Sequence, residues 1–375
     1  MSNLLDKASI ILTPTAYNTS EVLCVKPSDG TGDFDFLRAT EATRVNSLGL
    51  IETNAINLPR INYEGGCGSW LFEPQSTNLI TYSSDYTQWN KSGSMVITSN
   101  NAISPDGTQN ASLLTANAAN QFIYLSSFSS ANSTISLYVK RKTGTGSIEL
   151  SNNGGASYTA LSVTDEWSRV QVTFATSTQQ TVIKINTSGD EIYLWGVQVE
   201  ALSYASSLIP TDGSTVTRNQ DLCTNGGSLA TINSTEGTLY FELNKVNKHT
   251  SVRFIGISDN TAYTNRVQMV SFANSDLFRL EFVIGGTSLS INYTENENTF
   301  KKYAITYDIN FIKLYVNGTK IGQVANTIGL PSANTFNSFD FGRNGGGNPF
   351  FGKTKAVAVW KEALTDAELT ALTTI

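Results

Sequence analysis

From residue 76 onward the chain alternates apolar and polar residues with a period of two, interrupted at short intervals by clusters of glycine, asparagine, serine and threonine. Successive side chains of a strand point to opposite faces, so this pattern specifies half-buried antiparallel strands rather than amphipathic helices. Ile135, Leu137 and Val139 form one inward face, Val170, Val172 and Phe174 another, and Tyr193, Trp195, Val197 and Val199 a third. Asn152-Asn153-Gly154-Gly155 and Thr143-Gly144-Thr145-Gly146 divide the runs, because these residues accept the backbone angles of tight turns. Short strands spaced in this way predict a two-sheet sandwich of jelly-roll type over residues 76–213.

A second β-rich unit is expected over residues 214–375. Leu239, Phe241 and Leu243 alternate, as do Phe278, Leu280, Phe282 and Ile284, and then Tyr303, Ile305 and Tyr307. Asn317-Gly318 joins two further runs and is a strong hairpin signal, since both residues tolerate the positive φ of a type I′ turn. Thr365 with Glu368 three residues on reads as a capping box, and Leu364 with Leu369 as a hydrophobic staple, so a short helix closes the chain. The expected class is therefore all-β, with two consecutive antiparallel sandwiches. Residues 1–75 carry turn signals such as Pro27-Ser28-Asp29-Gly30 and Glu64-Gly65-Gly66 with only short apolar pieces between them. They are expected to form an irregular N-terminal arm, laid over a neighbouring domain or used as an anchor.

Composition narrows the function. A length of 375 residues suits two or three domains. Charged residues make up only 15% of the chain, so the surface is covered largely by Ser, Thr, Asn and Gly. A net charge of -6 without a basic run argues against nucleic acid and anionic membrane as partners. No segment approaches the ~20 apolar residues of a membrane span, and Asp6 interrupts the start, which does not read as a secretory signal. Cys24, Cys67 and Cys223 are widely spaced and read as buried thiols; a Cys24–Cys67 bridge has no support.

Catalytic apparatus is hard to find. His249 is the sole histidine, which excludes a two-histidine metal centre, and its polar surroundings predict a solvated surface residue. Gly342-Arg343-Asn344-Gly345-Gly346-Gly347 is glycine-rich but lacks the lysine and serine of a phosphate-binding loop, and it reads as a sandwich-rim loop. Glu166, Glu200 and Glu281 are strand-associated carboxylates without a catalytic motif around them. Sugar binding would instead use exposed aromatic rings flanked by amides. Trp89, Tyr124, Tyr158 and Asn344 are the candidate glycan-binding residues, with Trp89 weighed against a core role. Trp167, Trp195 and Trp360 read as packing residues. No cofactor or metal is called for.

Several segments resemble a known family. The stretch from Gly32 to Glu52, the piece Ile56-Asn57-Leu58-Pro59-Arg60-Ile61-Asn62-Tyr63 and the piece Leu71-Phe72-Glu73-Pro74-Gln75-Ser76-Thr77-Asn78-Leu79-Ile80 resemble segments near the N-termini of tailed-bacteriophage virion proteins. Ile192-Tyr193-Leu194-Trp195-Gly196-Val197-Gln198-Val199-Glu200 and Ala205 to Ser214 resemble the end of a carbohydrate-binding-module-like jelly roll in such proteins. Leu314 to Gly318, Phe339 to Gly342 and Phe351 to Leu364 resemble a laminin-G or concanavalin-A-like lectin sandwich.

The resemblance implies a non-enzymatic virion structural protein, a fibre or tail-tip adhesin that binds host cell-surface polysaccharide. Residues 1–75 would attach it to other virion proteins, and homotrimers are usual in such fibres. The virion surface is then the expected location, reached from the host cytoplasm without an export signal. An architectural capsid decoration or head-fibre protein without glycan specificity is the first alternative. A polysaccharide-degrading enzyme, or an accessory module of one, is the second. Laminin-G-like domains sometimes hold calcium at the rim, although no acidic cluster here is dense enough to call for it.

Overall fold

The alternating segments form strands throughout a computed structural model that describes residues 2–126, 133–175, 180–245, 249–260, 264–295, 299–343 and 346–375. About 50% of the chain is strand and 4% helix, in antiparallel sheets. It divides into two compact units, a larger one of Met1–Ala39, Ala55–Pro74 and Gln220–Ile375 and a smaller one of Thr40–Asn54 and Gln75–Asn219. The N-terminal 75 residues are thus shared between two cores rather than forming an arm of their own.

The smaller unit is a sandwich of two five-stranded sheets. One, here the capped sheet, has the order Met95–Ala102, Ala111–Ala116, Glu191–Glu200, Ser133–Thr143 and Ser168–Phe174. The other, the platform sheet, has the order Asn90–Lys91, Gln121–Ser126, Gln180–Ile185, Ile148–Ser151 and Thr159–Leu161. Ile135, Leu137 and Val139 fill the core as the alternation requires, with Leu114, Ile123, Ile183 and Leu194.

The run from Tyr193 to Val199 does not keep one face. Ser136 lies opposite Gln198 but Tyr138 lies opposite Trp195, which places a bulge at Gly196. An extra residue reverses the in-and-out order beyond it, and Gly196 takes the positive φ of 62° there. Val197 and Val199 therefore point inward, while Trp195 joins Tyr138 and Ala111 on the outer side.

That outer side is covered. The hairpin of Ala42–Val45 and Ile51–Asn54 packs Ile51 and Val45 into one cluster with Ala111, Tyr138, Trp195 and Leu208. Thr43 Oγ1 donates to the Leu208 carbonyl at 2.6 Å. The later part of the stretch from Gly32 to Glu52, from Thr40 on, is therefore a lid on this sheet.

The earlier part of that stretch, up to Ala39, belongs to the larger unit. Its eight-stranded sheet runs from Thr319–Ala325 through Phe311–Val316, Lys301–Tyr307, Gly237–Lys245, Gly352–Trp360 and Ser69–Phe72 to Ile61–Asn62, with Ile10–Leu12 also paired to Gly352–Trp360. Opposite it stand a five-stranded sheet, ordered Thr287–Thr294, Leu277–Ile284, Arg266–Ser271, Arg253–Ser258 and Ser338–Asp340, and a smaller sheet that includes Phe34–Leu37 and Leu222–Thr224. Phe34 lies 5.5 Å from Phe339 and 5.7 Å from Phe341, and Phe72 lies 4.8 Å from Phe341. Burying each such ring stabilises by about 1.5–3 kcal/mol, so the N-terminal segments are an integral part of this core.

Charge also locks these segments together. Asp221 takes Arg38 on Oδ1 at 3.1 Å and Arg60 on Oδ2 at 2.5 Å, while Arg60 also reaches Glu73 at 2.8 Å. The four side chains are almost entirely buried. Arg38, Glu73 and Asp221 each sit one residue inside an end of a chain segment of this unit, so the network ties all three segments at their ends. Charge-assisted bonds of this kind fix geometry strongly, and removing one partner leaves an uncompensated buried charge.

Asn317 and Gly318 have φ of 47° and 80° between strands that pair Val316 with Thr319, the hairpin turn expected from the sequence. The final helix, Asp366–Thr373, has the full Thr365–Glu368 capping box. Leu364 and Leu369 pack with Trp360, Tyr240 and Tyr315 on the outer side of the eight-stranded sheet. Cys24 and Cys223 are buried and Cys67 is exposed, all as free thiols. Burial pushes the Cys24 thiol up to about 12, with the Asp33 carboxylate adding to the shift.

Candidate functional site

In the smaller unit the strands of the platform sheet sort their residues strictly by face. Ile123, Leu125, Ile183, Ile185, Ile148 and Leu150 point into the core, so the residues alternating with them point outward. Register places Phe122 beside Lys184 and Lys184 beside Glu149, with Ala160 next in the row. The adjacent row runs Asn90, Tyr124, Val182 and Ser151. Two of the expected site residues, Tyr124 and Tyr158, thus belong to one sheet: Tyr158 immediately precedes the edge strand Thr159–Leu161.

The partly exposed side chains of this face flank a buried Val182 and Ser151. The rings of Phe122 and Tyr124 are 6.1 Å apart and both are partly exposed. Lys184 Nζ bonds Glu149 Oε2 at 3.2 Å and lies 4.6 Å from the centre of the partly exposed Tyr158 ring. Asn90 is exposed at the edge, opposite Tyr124. The turn before Tyr158 is internally braced. Ser151 Oγ donates to Asn153 Oδ1 and accepts from the Gly155 amide. The Tyr158 hydroxyl lies where a side chain at Gly155 would be, 2.5 Å from an added Cβ, so glycine is needed for the ring to rest there.

Rings of this kind stack on apolar sugar faces, and an ion pair offers both donors and acceptors to hydroxyl groups. The pair also leaves the surface without net charge.

The other expected residues separate from this surface. Trp89 is buried, 5.6 Å from Tyr86, with its indole N–H donating to the Tyr82 carbonyl at 3.0 Å. Its polar neighbours suggested exposure, but the short helical turn Tyr86–Gln88 before it turns the ring into the core. Asn344 lies outside the described residues. Phe122, Lys184 and Glu149 were not singled out from the sequence, although the alternation through Ile123 and Leu125 already placed Phe122 and Tyr124 on one face.

Three further expectations concern chemistry. His249 is not a solvated surface residue: it is buried, with Nε2 2.8 Å from Ser271 Oγ. Burial pushes its pKa down to about 4, with Arg253 and Lys245 adding to the shift. Glu200 is fully buried and accepts from Ser76 Oγ and the Ser206 amide and hydroxyl. The Glu166 side chain is 85% exposed, 3.9 Å from Lys140, and Glu281 belongs to the larger unit. Glu200 therefore serves the packing of the smaller unit rather than one wall of an open cleft. Among the described residues no group of three or more His, Cys, Asp or Glu side chains could hold a metal ion, and no helix is long and apolar enough to cross a membrane.

One comparison with known proteins falls within the larger unit. Residues 219–370 match the family model of the concanavalin A-like lectin/glucanases superfamily. The N-terminal strands Ile10–Leu12, Ile61–Asn62 and Ser69–Phe72 extend that sandwich from outside the matched range. No curated protein matches the sequence. Among solved structures, the Ruminococcus gnavus IT-sialidase CBM40 bound to alpha2,3 sialyllactose is similar at 17% identity and a TM-score of 0.32, covering 38% of this chain and 83% of that one. Domain 4 of AbnA, a GH43 extracellular arabinanase from Geobacillus stearothermophilus, in complex with arabinotriose, gives 16% identity and a TM-score of 0.34, covering 46% and 81%.

Proposed function

We propose that the chain is a glycan-binding structural protein of a tailed-phage particle, acting by adhesion and not by catalysis. The platform face of the smaller unit is the binding surface in this reading, and the lectin-like larger unit is its structural companion. The observation that carries it is the sheet face on which Tyr158 lies against Lys184 of the Lys184–Glu149 pair, with Phe122 and Tyr124 on the strand beside Lys184. Partly exposed rings beside a compensated ion pair suit sugar, whose faces are apolar and whose edges are hydroxylated. The virion assignment rests on the resemblance of the segments around Arg38, Arg60 and Glu73, and so does assembly into trimers displaying several copies. Several weak sites on one particle would gain avidity without new contacts.

The test is a glycan array of bacterial capsular and lipopolysaccharide chains, probed with the full chain and with Tyr124→Ala and Tyr158→Ala variants. Binding that both variants weaken supports the reading. An empty array together with firm attachment to capsids would favour an architectural protein, and new reducing ends on incubation with polysaccharide would favour an enzyme.

A further inference from the structure

The aromatic groups of the platform face are not gathered at one point, and their spacing limits what can touch them all. Phe122 and Tyr124 lie on Gln121–Ser126, next to the edge strand Asn90–Lys91, whereas Tyr158 enters the opposite edge strand Thr159–Leu161. Between them the sheet order interposes Gln180–Ile185 and Ile148–Ser151. Three strand spacings, roughly 14 Å, separate the backbones that carry the two aromatic groups, and the Tyr158 ring leans over the sheet to within 4.6 Å of Lys184 Nζ. The ground between them is polar at Lys184 and Glu149 and closed at Val182, which is buried.

Resting on the glycan-binding reading of this face, we infer that its ligand is an internal stretch of a linear polysaccharide, laid across the strands and touching both aromatic groups at once. One ring stacks on the Phe122–Tyr124 pair and another on Tyr158, while the sugars between them bond the Lys184–Glu149 pair. A single sugar, or a chain end, reaches one group only. Joining the two contacts in one ligand makes the second nearly intramolecular, so affinity rises steeply once the ligand is long enough to span them and levels off beyond. Lys184 and Glu149 compensate each other's charge, so the middle of the face selects hydroxyl groups rather than a carboxylate or phosphate.

The experiment titrates the full chain by calorimetry with a size ladder of one to eight sugars, made by partial hydrolysis of the polysaccharide giving the strongest array signal. The expected result is a rise of tenfold or more between the disaccharide and the tetrasaccharide, then a plateau. Tyr124→Ala and Tyr158→Ala should each return the octasaccharide to disaccharide-like affinity, and Tyr124→Phe and Tyr158→Phe should restore most of it. Far-ultraviolet circular dichroism and an unchanged urea midpoint exclude misfolding of the alanine variants. A monosaccharide that binds as tightly as the octasaccharide, or an octasaccharide indifferent to either alanine variant, overturns the inference while leaving glycan binding in place. An empty array overturns the underlying reading instead.

Discussion

Two ion-pair sites in this molecule use the same chemistry for opposite ends. Arg38, Arg60, Glu73 and Asp221 are sealed from solvent and tie the three segments of the larger unit together. Lys184 and Glu149 stand on the platform face with side chains 18% and 22% exposed, beside Tyr158. A buried charge must keep its partner, because solvent cannot replace it, whereas a pair at the surface can exchange partners with water or with a ligand at little cost. The covering of a site, more than its residue types, decides whether it can serve as a clamp or as a contact.

The largest effect that would break this contrast is expected at the clamp. Asp221→Asn removes the charge shared by two buried arginines and should destabilise the larger unit by about 3–5 kcal/mol, read as a fall in the urea midpoint. A loss below ~1 kcal/mol would mean that the network is not sealed.

Next in size is a pH effect at another buried polar residue of that unit. The folded value of His249, about 4, lies below the ordinary 6.5, so the unfolded chain takes up the proton first. Its contribution is fully present above pH 6.5 and is lost as the pH falls towards 4. We expect about 2–3 kcal/mol of stability to go in that window, and His249→Gln to flatten this part of the profile relative to wild type. Parallel profiles for the two proteins would count against a buried neutral imidazole.

The platform face should behave in the reverse manner. Tyr124→Ala is expected to weaken polysaccharide binding by about 1–2 kcal/mol, close to tenfold, in surface plasmon resonance, while the urea midpoint stays near that of wild type. Smallest of all is the expected effect of Lys184→Ala on stability, within ~0.5 kcal/mol. A stability loss comparable to that of Asp221→Asn would make the Lys184–Glu149 pair another clamp and remove the contrast.

Much of this was legible in the sequence where the signal is local. Ile135, Leu137 and Val139 faced the core as their alternation required, and the Asn317-Gly318 hairpin and the Thr365 cap formed at the residues expected. Strand formation at Tyr193 to Val199 was equally legible, but the bulge at Gly196 reversed half of its faces. A one-residue insertion leaves the apolar pattern nearly unchanged while changing what each residue meets. His249 differed from its expectation for a related reason, and the same ambiguity left Trp89 weighed between surface and core: polar neighbours along the chain do not report what packs on a residue from elsewhere. The short apolar pieces of residues 1–75 looked too sparse for a core because the strands completing that core lie more than a hundred residues downstream.

By itself, then, the sequence determined an all-β chain, its strand periods, its turns and its helix cap, since these depend on residues within a few positions of each other. Only the tertiary structure decided which outer face of the smaller unit is lidded by Thr40–Asn54 and which carries the partly exposed rings of Tyr124 and Tyr158. It alone brought Arg38 to Asp221 across 183 residues. Burial and charge pairing at such separations depend on chain topology, which no local pattern encodes.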